Sequence, residues 1–172
     1  PRNKYFSTIW RRDNLFPGGL LMDGGVHYAA GLRMLLGEVS SVSAVATQHS
    51  PDLPPVDTLS AALAFENGAL GSLGVTYAAG APWPPVLTVT GDEGALRISA
   101  GVISVATGSD TYALELPEQQ GIREEFAAFA AAVRDGAPHH NTPDQALQDV
   151  AVIEAILRAA ETGERVAPER IV

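Results

Sequence analysis

The 172-residue chain has no cysteine. Disulfides, thiolate zinc sites and cysteine nucleophiles are thereby excluded, and a reducing, cytoplasmic setting is the expectation. No apolar run reaches the ~20 residues that a membrane helix needs, so no membrane partner is expected. Basic residues are scarce: eleven Lys plus Arg stand against twenty Asp plus Glu, a net charge of -9. A nucleic-acid surface needs a basic patch. Arg11-Arg12 is the one adjacent basic pair, so nucleic acid is not an expected partner. The Gly-x-Gly-x-x-Gly dinucleotide fingerprint is also missing. Gly68, Gly71 and Gly74 read as the small residues of a hairpin, so no cofactor-binding residue is assigned within the chain.

What is present is a change of hydrophobic period along the chain. Tyr5 to Trp10 is β-prone and reads as a short strand. After the breaker Pro17-Gly18-Gly19, Leu21 to Leu36 reads as a helix with Val26, Ala29, Ala30, Leu32 and Leu36 on its apolar stripe and Gly37 as its stop. Gly24, Gly25 and Gly31 inside it each cost about 1 kcal/mol relative to Ala, so something must pack close to this helix. Val42 to Gln48 and Thr58 to Phe65 alternate as strands. Asn67-Gly68 then predicts a type I′ hairpin that pairs Phe65 with Leu70. Two more hairpins follow, Val86–Thr90 with Ala95–Ser99 and Val102–Ala106 with Thr111–Leu116. Ile122, Phe126, Phe129 and Val133 fall at helical spacing. Thr142-Pro143-Asp144-Gln145 is a capping box opening a last helix with Leu147, Val150, Ile153 and Leu157. Residues 164–172 add a predicted edge strand.

Consecutive hairpins require antiparallel pairing. Helices grouped at the ends of the strand run predict one α+β domain over residues 1–172: a large, mainly antiparallel open-faced sheet with helices on one face. The other face is expected to form an oligomer interface, in a homodimer or homotetramer, since large apolar patches rarely stay solvated.

Asp23 and His27 are four residues apart on the predicted helix, so they share a face, with Cβ atoms about 6 Å apart. A carboxylate beside an imidazole can orient the ring and make it a general acid/base. The same spacing also suits a helix in which Asp23 only caps and His27 is an ordinary surface or core residue. Tyr77 and Trp83 near a strand end are placed to stack on a sugar ring, although core packing is the commoner role. His139-His140 has no third ligand, and no metal is expected.

Gly18 to His27 (Gly-Gly, an apolar stretch, Asp, a small residue, Gly, an apolar residue, His) resembles a signature of the glucose-fructose oxidoreductase / inositol dehydrogenase / rhizopine-catabolism family. Phe65 to Leu73 and Val89 to Leu96 resemble two of its hairpins. The resemblance spans nearly the whole chain but only the family's second domain. It implies a small-molecule sugar, polyol or related hydroxy/keto substrate, and NAD or NADP bound mainly by an N-terminal Rossmann domain outside this chain. It further implies catalysis by His27, exchanging the hydroxyl proton, with Asp23 orienting it and a Lys of the Rossmann half joining them. Trp10 and Arg11 resemble the place where family members line the substrate pocket. The isolated domain is expected to be inactive. One departure is Ala30, where many members carry another Asp. It keeps a non-catalytic dinucleotide- or sugar-sensing regulator in view, beside a free-standing oligomerisation scaffold.

Overall fold

The computed structural model describes residues 8–13, 16–79, 86–117 and 121–172. The elements run α1 (Ile9–Arg12), α2 (Gly19–Leu36), β1 (Val39–Thr47), β2 (Thr58–Phe65), β3 (Leu70–Thr76), β4 (Leu87–Gly91), β5 (Gly94–Ser99), β6 (Val102–Thr107), β7 (Asp110–Glu115), α3 (Gly121–Asp135) and α4 (Pro143–Thr162). All strand pairing is antiparallel and the fold is α+β. Hydrogen bonding groups the strands as β1-β2-β3 and β4-β5-β6-β7. The chain divides into two compact units, residues 1–80 with 140–172, and residues 81–139.

The first unit holds the core. Alternation in β2 turns Leu59, Ala61, Leu63 and Phe65 inward and leaves Ser60 and Ala62 exposed. α4 packs on β1, and α2 packs on α4. Val42, Leu21, Val152, Ile153 and Ile156 join the same cluster. The opposite face of the three strands carries Ser43, Ala62 and Ser72 in one row and Val45, Ser60 and Gly74 in the next, all exposed.

The inward line of α2 is Leu21, Gly25, Ala29 and Arg33, at four-residue spacing. Gly25 earns its place there, because a Cβ would stand 3.0 Å from Ile153 Cδ1 of α4. Arg33 ends the line as a buried cation. It meets Asp149 at 2.5 Å, Glu38 at 2.7 Å and the Gln145 side chain at 2.7 Å. Burial works against the guanidinium charge, yet hydrogen bonds from Arg33 to Glu38 and Asp149 hold its pKa above the usual arginine value. Asp57 is likewise fully buried. Its carboxylate accepts from the His49 and Ser50 amides and the Thr58 hydroxyl, fixing the β1–β2 connection.

Several local expectations are corrected. The residues described within Tyr5–Trp10 are not a strand: Thr8 is extended as an N-cap, and Ile9 and Trp10 open the one-turn helix α1. β-propensity is weak against such a tertiary use. The Asn67-Gly68 turn is not type I′, because Gly68 alone has positive φ. Gly68 N–H and Phe65 N–H close a three-residue loop on Phe65 O and Ala69 O, the geometry of a type I turn with a glycine bulge. Pairing therefore slides by one residue, to Ala64 with Leu70. Two consecutive positive φ values occur instead at Ala100 and Gly101, between β5 and β6. Leu147 of α4 is half exposed, whereas Gln148 and Asp149 are buried. The tail makes one bridge, Val166 with Val42, rather than a strand; Gln148 holds it further on, through Glu169 O and Ile171 N.

The second unit is built differently. Register brings Leu87, Ile98, Ile103 and Leu114 into one row and Val89, Leu96, Val105 and Tyr112 into the next. α3 carries Ile122, Phe126, Phe129 and Val133 on one stripe, all exposed.

Candidate active site

Asp23 and His27 lie two residues beyond Leu21 and Gly25 of the inward line, about 200° around the helix. That rotation turns them away from α4 and toward solvent. His27 is exposed, and the Asp23 side chain keeps 35% of its exposure. The pair shares a face without a direct hydrogen bond. In a site without substrate such geometry is often loose and tightens on binding.

The carboxylate is held from another direction. Arg11 Nη2 donates to Asp23 Oδ2 at 2.6 Å and Arg11 Nε donates to the same oxygen at 3.1 Å. Arg11 Nη1 donates to Thr8 Oγ1 at 3.0 Å. The guanidinium lies 4.0 Å over the Trp10 ring, and Trp10 meets Phe16 edge-on with centroids 6.1 Å apart. The one-turn α1 makes this possible by placing Thr8, Trp10 and Arg11 within a single turn.

Tyr77, just past β3, crosses to α2 from the sheet. A Cβ at Gly24 would overlap its hydroxyl, so glycine there admits the phenol. The close approach inferred for these glycines is thus supplied by the protein's own side chains, Tyr77 at Gly24 and Ile153 at Gly25. Nothing lies within 4 Å of a Cβ at Gly31. Burial pushes the Tyr77 phenol well above its usual pKa, with further contributions from Tyr28 and the Asp23 carboxylate.

Of the residues singled out from sequence, Trp10, Arg11, Asp23 and Tyr77 therefore converge on the first two turns of α2, with His27 one turn on. Trp83 lies outside the described residues. Tyr28, which contributes to the raised Tyr77 pKa, was missed. Its one signal was its position four residues after Gly24, on the same face.

The N-terminus of α2 is closely packed. A Cβ at Gly18 would overlap Leu157, and one at Gly19 would overlap the Pro54 carbonyl. A groove of about 910 Å³ lies over α4, lined in part by Pro17, Met22, Ala46, Leu157 and Arg158. Asp23 and His27 do not line it. Among the described residues, no helix is long and apolar enough to cross a membrane.

Comparison with known proteins agrees with this arrangement. Residues 1–167 match the family model described as the oxidoreductase family, C-terminal alpha/beta domain, of the Gfo/Idh/MocA group. Dehydrogenase FPY6 of Fusarium mangiferae is 28% identical over 171 residues, covering 92% of this chain and 48% of that protein. An oxidoreductase of Thermotoga maritima, TM0312, superposes with a TM-score of 0.84 at 37% identity over 96% of this chain and 49% of its own. A levoglucosan dehydrogenase in complex with NADH and levoglucosan shares the fold, with a TM-score of 0.83 at 22% identity over 94% of this chain and 53% of its own. The chain spans about half the length of the relatives it matches. On its signature around Asp23 and His27, its antiparallel α+β fold and the family match over nearly its full length, the chain belongs to the Gfo/Idh/MocA oxidoreductase family as a C-terminal alpha/beta domain.

Proposed function

We propose that this chain is the substrate-side half of a cytoplasmic NAD- or NADP-dependent oxidoreductase acting on a sugar, polyol or related hydroxy/keto compound. The observation that carries the reading is an exposed His27 one helical turn from a partly exposed, ion-paired Asp23 on the open face of α2. The family membership and the sugar dehydrogenase among the fold relatives support it.

The chain carries no Gly-x-Gly-x-x-Gly fingerprint, and we assign the cofactor phosphates to an N-terminal Rossmann domain joined to it. When bound there, the nicotinamide supplies the hydride acceptor or donor. The residues of this chain handle the proton. Oxidation of a carbinol removes one hydride from carbon and one proton from oxygen. His27 accepts that proton, and in the reverse direction returns it to the alkoxide. Asp23 orients the ring and steadies its charged form. Tyr77 and Tyr28 offer hydroxyls to a polyhydroxylated substrate beside them.

The exposed small-residue face of β1-β2-β3 is the proposed homodimer or homotetramer surface. Light scattering of the full-length protein should then give a multiple of the monomer mass, and a monomer at high concentration would remove that assignment.

The activity test uses full-length protein with NAD+ or NADP+ and D-glucose, D-xylose or myo-inositol, following formation of reduced nicotinamide. Turnover of one of them is the expected result. Dinucleotide binding without turnover of any sugar or polyol would favour a non-catalytic regulator, the reading that Ala30 keeps open. Absence of dinucleotide binding would overturn the assignment.

A further inference from the structure

We propose that Arg11 is a positioning residue for Asp23 and not a contact to substrate; this rests on the oxidoreductase reading above. Four observations carry it. Two of the three guanidinium nitrogens of Arg11 are spent on one carboxylate oxygen, Asp23 Oδ2, at 2.6 and 3.1 Å. The third is spent on Thr8 Oγ1 at 3.0 Å. One face of the guanidinium is stacked on Trp10. Its side chain is only 13% exposed, against 35% for Asp23. With one N–H engaged at each nitrogen, one face stacked and the side chain mostly buried, the fork is better suited to fixing a carboxylate than to meeting a ligand.

The consequence for Asp23 is geometric. Its rotamer is set by a residue twelve positions away, outside its own helix. Oδ1 carries none of the Arg11 hydrogen bonds and is the oxygen left to orient His27. Trp10 then supports Arg11 and is a further step from the reaction. The pair Trp10-Arg11, which in sequence resembled a pocket lining, becomes a clamp on the acid.

The experiment is a double-mutant cycle in the full-length enzyme, with D-glucose, D-xylose or myo-inositol, whichever is turned over. The variants are Arg11→Met, Asp23→Asn, both together, and Arg11→Lys. A residue acting only through another adds nothing once that other is removed. Arg11→Met should lower kcat on the order of 10- to 100-fold, as misplacement of a catalytic group does. KM should stay within a factor of about three, since no substrate contact is lost. In the Asp23→Asn background Arg11→Met should change neither constant further. Arg11→Lys should restore part of kcat. Losses that multiply across the two backgrounds with KM rising in both would overturn the proposal, as would an unchanged kcat in Arg11→Met.

A second readout needs no turnover. The Arg11 Nε–H signal in a proton–nitrogen correlation spectrum should exchange slowly with water in the wild-type protein and rapidly in Asp23→Asn. Rapid exchange in the wild type would show that no clamp exists in solution. A protected signal in a protein without any turnover would sink the oxidoreductase reading and the positioning role together, leaving the ion pair as a structural lock.

Discussion

The two units of this chain treat the same chemical inventory in opposite ways. In the first, alternation in β2 and the inward line of α2 bury Leu21, Val42, Leu63, Phe65, Ile153 and Ile156 to near completion. In the second, eight large apolar side chains share one sheet face and four more line α3, yet no residue of β4–β7 or α3 is buried. Strand pairing in the second unit is regular, so local pattern is not what it lacks. Regular pattern makes secondary structure, whereas burial requires a second layer. The first unit has its own layer in α2 and α4 and contains the candidate site. The second presents apolar surface of the kind that marks contact sites.

Substitutions that probe this contrast should differ widely in cost. The largest effect belongs to Arg33→Met in the first unit. It strands the buried Asp149 carboxylate and the partly exposed Glu38 without their cation and should cost about 3–5 kcal/mol, read by urea unfolding. Ile156→Ala, also in that unit, should cost about 2–5 kcal/mol, since it leaves a cavity in the core where α4 packs on β1. Phe129→Ala on the α3 stripe should stay within about 0.5 kcal/mol, the range for exposed positions. A loss of about 2 kcal/mol there would mean that the stripe is covered in solution, and the contrast between the units would shrink accordingly. A fourth effect is confined to high pH. Because the Tyr77 phenol is raised in the folded state, its contribution is present in full below the ordinary tyrosine pKa of about 10. It is lost as pH climbs from there toward the raised folded value, since the unfolded chain releases its proton first. Tyr77→Phe should flatten that part of the stability–pH curve, and an unaltered curve would show that Tyr77 titrates normally.

Elements with a strong period were legible from sequence. The helix over Leu21–Leu36, the Thr142 cap and the three hairpins lie within a few residues of their expected places, because burial on one side writes its period into the chain. Turn geometry was less legible. Asn67-Gly68 is a strong type I′ signal, but only Gly68 adopts positive φ, and the register moves with it. Buried charge was not legible at all. Nothing in the local pattern marks Arg33, Asp57 and Asp149 for burial, and only their hydrogen-bond partners make it tolerable. At the candidate site, the Asp23–His27 spacing was visible in the sequence, whereas the Arg11 clamp and the Tyr77–Tyr28 pair were not. Both depend on contacts between segments far apart in the chain, which no local pattern encodes.

The central claim is that the exposed imidazole on α2 moves the substrate proton. The most direct measurement is kcat/KM of the full-length enzyme carrying His27→Asn, with the thermal midpoint recorded beside it. The account predicts a fall of roughly 10²- to 10⁴-fold, the range for losing a general acid/base, with the midpoint unchanged because His27 is exposed. Wild-type kcat/KM in that variant would contradict it.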